Sequence, residues 1–488
     1  MLKKLLCGLL AALMLTGSLV ACNDDDNKES GETKKEGDTN ADTSAEALEI
    51  PDTKYNDKEL RFLTRDEAEW STVEIFAEQI SSSSDNISQA VFERNDRIHE
   101  KYGVVIKEYQ KSVNDHIADV NKEIQSSNGD FQAIITNTRL SSSMASQNLL
   151  WDLKSSDVEY LDFSKSWWDK NMAEGMSIND QLFFATGDLL TADNDATFVM
   201  LFNKKLATNH QIPDLYKIVD NGEWTFDKMY QFAQQGVEPG TDGKIAYDNG
   251  VAGLAYTGSA PACFMFAGNV TLVQKNDEDV PEYSFNLDHA QNVAEKAELL
   301  FSTEHAVQLP QGDLFTTGKT CFGGNHALFF NECMQTVTRM REYDIDFGIL
   351  PNPKYDTNQK NYASMMHHTA SMVSIPVSVV DENLEMTASM IEAMACYSQS
   401  TLTVEYYDKN LKTKGAKDEQ SGPMIDKILA NRICDLSYYY QWGNSAYEKI
   451  AATLLPDSNK QLASESSRYK KMINDDISKF LSAMDKAS

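Results

Sequence analysis

The chain has 488 residues, with 44 Lys and Arg against 74 Asp and Glu, a formal net charge of −30 at pH 7. So acidic a body repels nucleic-acid phosphates and anionic lipid head groups, which argues against either as a direct partner. A hydrophobic content of 41% indicates an ordinary globular core, and the length suffices for two or three domains.

The first 22 residues open on Lys3 and Lys4, run apolar from Leu5 to Leu15 and end in Leu19-Val20-Ala21-Cys22. Basic start, short apolar run and small residues before a cysteine form a secretory signal, residues 1–21. The end of this segment resembles the lipobox of bacterial lipoproteins. That resemblance implies that Cys22 becomes the N-terminal residue, acylated on sulfur (palmitate) and amine. The body would then sit on the extracellular face of the cell membrane, held through the lipid on Cys22. After Cys22, from Asn23 to about Glu49, the segment 22–49 is Asp, Asn, Glu, Lys, Gly, Ser, Thr and Ala, with almost no large apolar side chain. Such a segment cannot offset its ordering entropy by burial, which predicts a disordered acidic tether. Its roughly 28 residues would span about 30 Å on average.

Lys58–Thr64 reads as a strand, and Asn86–Tyr102 as a helix with Ile87, Val91, Ile98 and Tyr102 on one face and Gly103 as its stop. Val104–Ile106 is a second strand. A helix over His116–Gln125, a break at Asn128-Gly129-Asp130 and a third strand over Ala133–Thr136 follow. Strand, helix, strand, helix, strand with short joints predicts an α/β fold with parallel strands, whose ligands gather at the carboxyl ends. Further strands are predicted at Gln181–Ala185, Ala327–Phe330 and Ser371–Val377, with Thr197–Phe202 apolar. Thr225 reads as a helix N-cap. Asn331-Glu332 opens a helix reaching Arg341, another helix covers about 383–398, and the tail from Tyr447 is largely helical. There is no internal repeat. Cys263, Cys321, Cys333, Cys396 and Cys434 are an odd set, so at least one is unpaired or bridges molecules. Cys321, His326 and Cys333 lack the close paired spacing of a zinc site. Neither metal nor cofactor is expected.

Several segments together carry a further resemblance: Glu93-Arg94-Asn95-Asp96-Arg97-Ile98-His99-Glu100-Lys101-Tyr102-Gly103, Gly187-Asp188, Leu201-Phe202-Asn203-Lys204-Lys205-Leu206, Ile212-Pro213-Asp214-Leu215-Tyr216, Gly222-Glu223-Trp224-Thr225-Phe226-Asp227-Lys228 and Asp346-Phe347-Gly348-Ile349-Leu350-Pro351. In this order they resemble the extracellular solute-binding lipoproteins that feed ABC importers, the carbohydrate-binding family 1 type of Gram-positive bacteria. The resemblance implies a two-lobed periplasmic-binding-protein-like fold (type II), three hinge crossings and a ligand cleft between the lobes. One lobe would hold 50–189 plus 370–422, the other 190–369 plus 423–488. It also implies a monomer that binds a carbohydrate, partners the permease subunits of an ABC importer and works by cleft closure. Two alternatives stay open: a non-sugar solute such as a peptide or small charged metabolite, or a surface glycan-binding lipoprotein not coupled to an importer. No nucleophile elbow, phosphate-cradling loop or H-E-x-x-H motif marks an enzyme.

A sugar site combines flat aromatic rings with groups that donate and accept hydrogen bonds. Tyr438, Tyr439, Tyr440 and Trp442 are the candidates for stacking. Asp188 and Asp195 flank the expected first crossing and could each accept from vicinal hydroxyls. Arg65 and Arg139 follow strand ends, Asn331 and Glu332 lie at a predicted helix start, and His367 adjoins the second crossing. A ligand acid would call for Arg65 or Arg139, a sugar for the aromatics.

Overall fold

In the computed structural model the described residues are 46–66, 74–78, 86–310, 314–340, 343–407, 418–456 and 458–487. The signal segment, Cys22 and nearly all of the tether therefore lie outside them, as does Arg341. Two sheets organise the body. The strands are β1 (Lys58–Arg65), β2 (Val104–Lys111), β3 (Ala133–Asn137), β4 (Phe198–Asn203), β5 (Ala252–Tyr256), β6 (Val273–Lys275), β7 (Pro281–Tyr283), β8 (Ala306–Gln308), β9 (Ala327–Cys333), β10 (Phe347–Leu350) and β11 (Ser371–Ser374).

The first sheet has the order β11-β3-β1-β2. β1 runs parallel to β2, from Lys58 opposite Val104 to Arg65 opposite Lys111, and parallel to β3. β11 lies antiparallel to β3, Ser371 facing Asn137. The helix Asn86–Tyr102 buries Val91, Ile98 and Tyr102, and Gly103 ends it at φ +65°, where a side chain would be strained. The predicted pattern of strand and helix is thus realised in this sheet.

The second sheet has the order β10-β4-β9-β5-β8, with β5 parallel to β8 and β9, and β4 antiparallel to β9 and β10. Asn137 and Asn203 each end a strand and cap the next helix, their side chains accepting from Leu140 N and Leu206 N at 3.0 Å. Thr225 caps the helix Phe226–Gln235 through Lys228 N, as predicted. The helix Ala260–Ala267 is buried all round, the environment in which a uniformly apolar helix is stable.

The chain passes between the sheets three times: after β3 into β4, after β10 into β11, and from the helix Asp381–Ser398 to the helix Ser421–Leu429. That last helix packs on β10, whereas Asp381–Ser398 packs on Asn86–Tyr102. The tail helix Leu462–Ala487 buries Tyr469, Ile473, Ile477, Phe480 and Met484 along one stripe against the helix Trp442–Ala451. No helix among the described residues is long and apolar enough to cross a membrane.

Two predicted elements differ. Gln181–Ala185 forms no strand: Leu182 donates to Asp152 Oδ1 at 2.9 Å and only Ala185 bridges β11, at Val373. Asn331 and Glu332 belong to β9, and the following helix starts at Gln335. The five body cysteines are free thiols.

Candidate ligand cleft

The parallel strands β1, β3, β5 and β9 end at Arg65, Asn137, Tyr256 and Cys333. Between these ends two of the passages run side by side. Phe198 N donates to Met365 O at 2.9 Å and His367 N to Ala196 O at 2.8 Å. Thr138 N donates to Ala370 O at 3.0 Å and Met334 N to Thr197 O at 2.9 Å, which ties the paired passages to both sheets.

Beside this floor opens a cleft of about 420 Å³. Ser259 comes from the connection after β5, Pro261 from the start of the helix Ala260–Ala267, His367 and His368 from the second passage, and Tyr438 and Glu448 from the tail. His367 Nδ1 bonds Thr369 Oγ1 at 2.8 Å, and its Nε2 lies 3.4 Å from Ser259 Oγ. The rings of His367 and His368 stack with centroids 3.9 Å apart. Burial, with Arg139 nearby, pushes His367 down to about 3. Burial, His367 and Arg139 likewise hold His368 well below the usual histidine range. Both rings are therefore neutral in ordinary buffers.

Arg139 pairs with Glu448, joining the helix Thr138–Ser146 that follows β3 to the helix Trp442–Ala451. Burial raises the Glu448 carboxyl, while Arg139 pulls it back. Arg139 Nε and Glu448 Oε2 are buried without a hydrogen-bond partner. The cleft thus presents neutral imidazoles, hydroxyls and a mutually compensated ion pair, a surface suited to an uncharged hydroxylated molecule.

Of the sequence candidates, His367 and Tyr438 line this cleft, and Arg139 stands behind it as the partner of Glu448. Arg65 is buried instead, donating to Thr369 O and Ser371 Oγ at 2.8 Å and so fastening β1 to the start of β11. Asp195 accepts from Tyr406 Oη at 2.6 Å, and burial pushes it up to about 7. Asp188 is bonded by Gln399 and Thr403, with burial again raising it to about 7. Asn331 is fully buried and donates to Asn352 Oδ1 at 2.8 Å; Glu332 accepts from Cys333 N at 2.8 Å. Tyr439, Tyr440 and Trp442 are packed inside. Tyr439 Oη donates to Met366 O at 2.9 Å, and Tyr440 lies between Trp442 and Phe480, its ring centroid 5.2 and 5.0 Å from theirs.

No protein-family model matches the chain, and no curated protein matches it. Solved structures do. The galacto-N-biose-/lacto-N-biose I-binding protein of the ABC transporter from Bifidobacterium longum, in complex with lacto-N-biose, is 11% identical, with a TM-score of 0.56 over 87% of this chain and 98% of its own. The cyclic alpha-maltosyl-1,6-maltose binding protein from Arthrobacter globiformis is 10% identical, with a TM-score of 0.56 over 86% of this chain and 98% of its own. The ABC substrate-binding protein Lmo0181 from Listeria monocytogenes, in complex with cycloalternan, is 11% identical, with a TM-score of 0.51 over 88% and 99%. The fold is the two-lobed periplasmic-binding-protein fold. The residues lining the cleft come from the second passage and from the part holding β4, β5, β9 and the tail, and Arg139, which follows β3 in the other sheet, reaches them through its ion pair with Glu448.

Tyr438, a stacking candidate from the sequence, lines the cleft, whereas Ser259 and Glu448 are cleft residues missing from the sequence candidates. Ser259 carried a usable signal: Ala252–Tyr256 is an apolar run followed by Thr257-Gly258-Ser259 and then a proline at the helix start. Glu448 carried none, since only the tail's return places it opposite Arg139.

Proposed function

We propose that this protein is a solute-binding protein that captures a carbohydrate, an oligosaccharide, and delivers it to the permease subunits of an ABC importer. Its lobes, divided at 189/190, 369/370 and 422/423, close around the ligand as a monomer, and the closed form is what the permease reads. Cys22, lipidated after loss of residues 1–21, holds the body by its acidic tether at the outer face of the cell membrane. The observation that carries the reading is the fold likeness to sugar-binding proteins over nearly their whole length. The cleft adds support against a charged metabolite: Arg139 is engaged by Glu448 and Arg65 by Thr369 and Ser371. A carboxylate ligand would have to break one of these.

A thermal-shift panel of oligosaccharides, peptides and small acids tests this. A sugar at 100 Kd should stabilise the protein by about 2.7 kcal/mol. A response to peptides or acids with none to sugars would refute it. Scattering with and without the responding sugar should show contraction. Labelling with a palmitate analogue should be lost in Cys22→Ala.

A further inference from the structure

The six segments that carry the resemblance place no residue in the lining of the cleft. Each of them instead puts a group on an end of a passage. On the first-sheet side that group is Arg94, fully buried on the helix Asn86–Tyr102. Its Nη1 donates to Leu189 O and to Ser398 Oγ, both at 3.3 Å, where the first and third passages depart. Its Nη2 donates to Glu74 O at 2.7 Å, and the Glu74 carboxylate accepts from Thr191 N and Ala192 N, at 2.5 and 2.6 Å, in the first passage. Asp188 is bonded by Gln399 and Thr403 at the start of the third. A planar guanidinium can hold several acceptors in a fixed fork, which an ammonium on a flexible stem cannot.

On the second-sheet side the fixed point is Asp418, where the third passage reaches the helix Ser421–Leu429. Its Oδ2 accepts from Tyr216 Oη at 2.6 Å and pairs with Lys204, and its Oδ1 accepts from Ser421 N at 2.7 Å. Lys204 directly follows β4, into which the first passage leads. Tyr216 lies on the helix Leu215–Asp220, which packs on β10, from which the second passage departs. Ser421 Oγ accepts from Ile349 N of β10 at 3.1 Å, and Trp224 Nε1 donates to Pro351 O, just past β10, at 2.9 Å. Between these ends the passages are laced together. Tyr406 Oη in the third donates to Asp195 Oδ1 in the first at 2.6 Å, and the first and second share the backbone bonds Phe198 N to Met365 O and His367 N to Ala196 O.

We propose that the three passages turn as one unit, pinned by Arg94 on the first-sheet side and by Asp418 with Tyr216 and Lys204 on the second, and that these pins are positioning residues for lobe closure. The proposal rests on the reading of the two parts as lobes that close on a ligand. What the six segments have in common is then the hinge, and the ligand is left to the cleft.

Hydrogen exchange of the full chain without ligand, read by mass spectrometry, tests this. Tyr216→Phe removes one hydroxyl and leaves Asp418 its bonds to Lys204 and Ser421, so the fold is kept. Loss of a hydrogen bond to a charged group implies opening about tenfold or more faster. Because the passages are laced, that acceleration is expected at 190–197 and 364–370 as well as beside Asp418. Arg94→Lys, at the opposite pin, should accelerate the same two stretches; should it not fold, Tyr216→Phe decides. Tyr447→Phe forfeits a buried bond to Val270 O away from the passages and should leave both stretches unchanged. The proposal is overturned if Tyr216→Phe alters only the surroundings of 216 and 418–421 or alters nothing, or if a folded Arg94→Lys exchanges at the parent's rate. It is equally overturned if Tyr447→Phe accelerates the passages as much, which would make the effect a loosening of the whole fold. No sugar enters this measurement, so its failure is distinct from a failure of the thermal-shift panel.

Discussion

Arg432 joins Asp169, at the start of the helix Lys170–Met176, to Asp193 in the first passage, so its removal tests whether this ion triad holds the passages together. Arg432→Met keeps the length and apolar stem of the side chain but leaves two carboxylates facing each other in a buried site. Breaking a buried pair from one side typically costs about 3–5 kcal/mol. The pH dependence sharpens the expectation. Burial raises Asp193 to about 6 even with Arg432 pulling it down, so without the guanidinium it must rise further. A carboxyl raised in the folded state contributes stability that is present at low pH and lost as pH rises through its folded value. The destabilisation by Arg432→Met should therefore be largest at about pH 8 and should fall by roughly half at about pH 5, where Asp193 is mostly protonated in both proteins. Adding Asp193→Asn to Arg432→Met should recover about 1–3 kcal/mol at neutral pH, the coupling of groups in one network. Urea unfolding followed by tryptophan fluorescence, comparing midpoints at equal m-values, reads each difference. An Arg432→Met protein within about 1 kcal/mol of the parent, or one equally destabilised at both pH values, would refute the reasoning.

Glu392 accepts from the indole N–H of both Trp167 and Trp168 at 2.9 Å, so Glu392→Leu strands two buried donors and should cost about 2–6 kcal/mol in the same assay. Gly253→Ala sets a Cβ against the Ala233 carbonyl, where the helix Phe226–Gln235 crosses β5; a drop of several degrees in melting temperature is expected, and an unchanged melt would show that the helix can shift. Trp442→Ala should lose about 3–5 kcal/mol of stability by opening the core beside Tyr440 and Phe480, and sugar affinity measured well below the melting point should stay within about threefold. Tyr439→Phe, which forfeits a buried hydrogen bond to Met366 O, should cost about 1 kcal/mol by urea midpoint.

The first sheet was legible because its strands are β-branched runs between helices with one apolar stripe, and each break carries a turn residue. The Gln181–Ala185 run is just as apolar and just as buried, yet side-chain and loop groups satisfy its backbone, a distinction that hydrophobicity does not encode. β5 escaped notice for a different reason. Gly253 weakens the strand signal of Ala252–Tyr256, and it is there because the helix backbone comes too close for any side chain. At Asn331-Glu332, polar residues after an apolar run look like a strand end, but the ladder continues to Cys333, and the Asn amide is consumed by Asn352 inside. The tyrosine cluster was ambiguous in principle: rings with a polar tip serve equally in a cleft or a core. The fold decides, since Phe480 of the tail helix closes over Tyr440 and Trp442, and of the row only Tyr438 lines the cleft.

The electrostatics of the cleft and of the passages around Arg432 differ. In the cleft every charge is either compensated or suppressed: Arg139 by Glu448, His367 and His368 by burial. A group entering there finds partners for hydroxyls and no unbalanced charge, and the two histidines stay neutral between about pH 5 and 8. Around Arg432 the balance is uneven, with Asp169 and Asp193 against one guanidinium and Asp188 and Asp193 both held above the usual carboxylate range by burial. Because the first passage carries Asp193 and also bonds the second passage in the floor of the cleft, a change of protonation at Asp193 acts on segments that border the cleft. The neutral lining of the cleft and the ion triad of the passages are thus built from different residues on the same connecting segments, so a perturbation at Asp193 should be felt at the cleft floor.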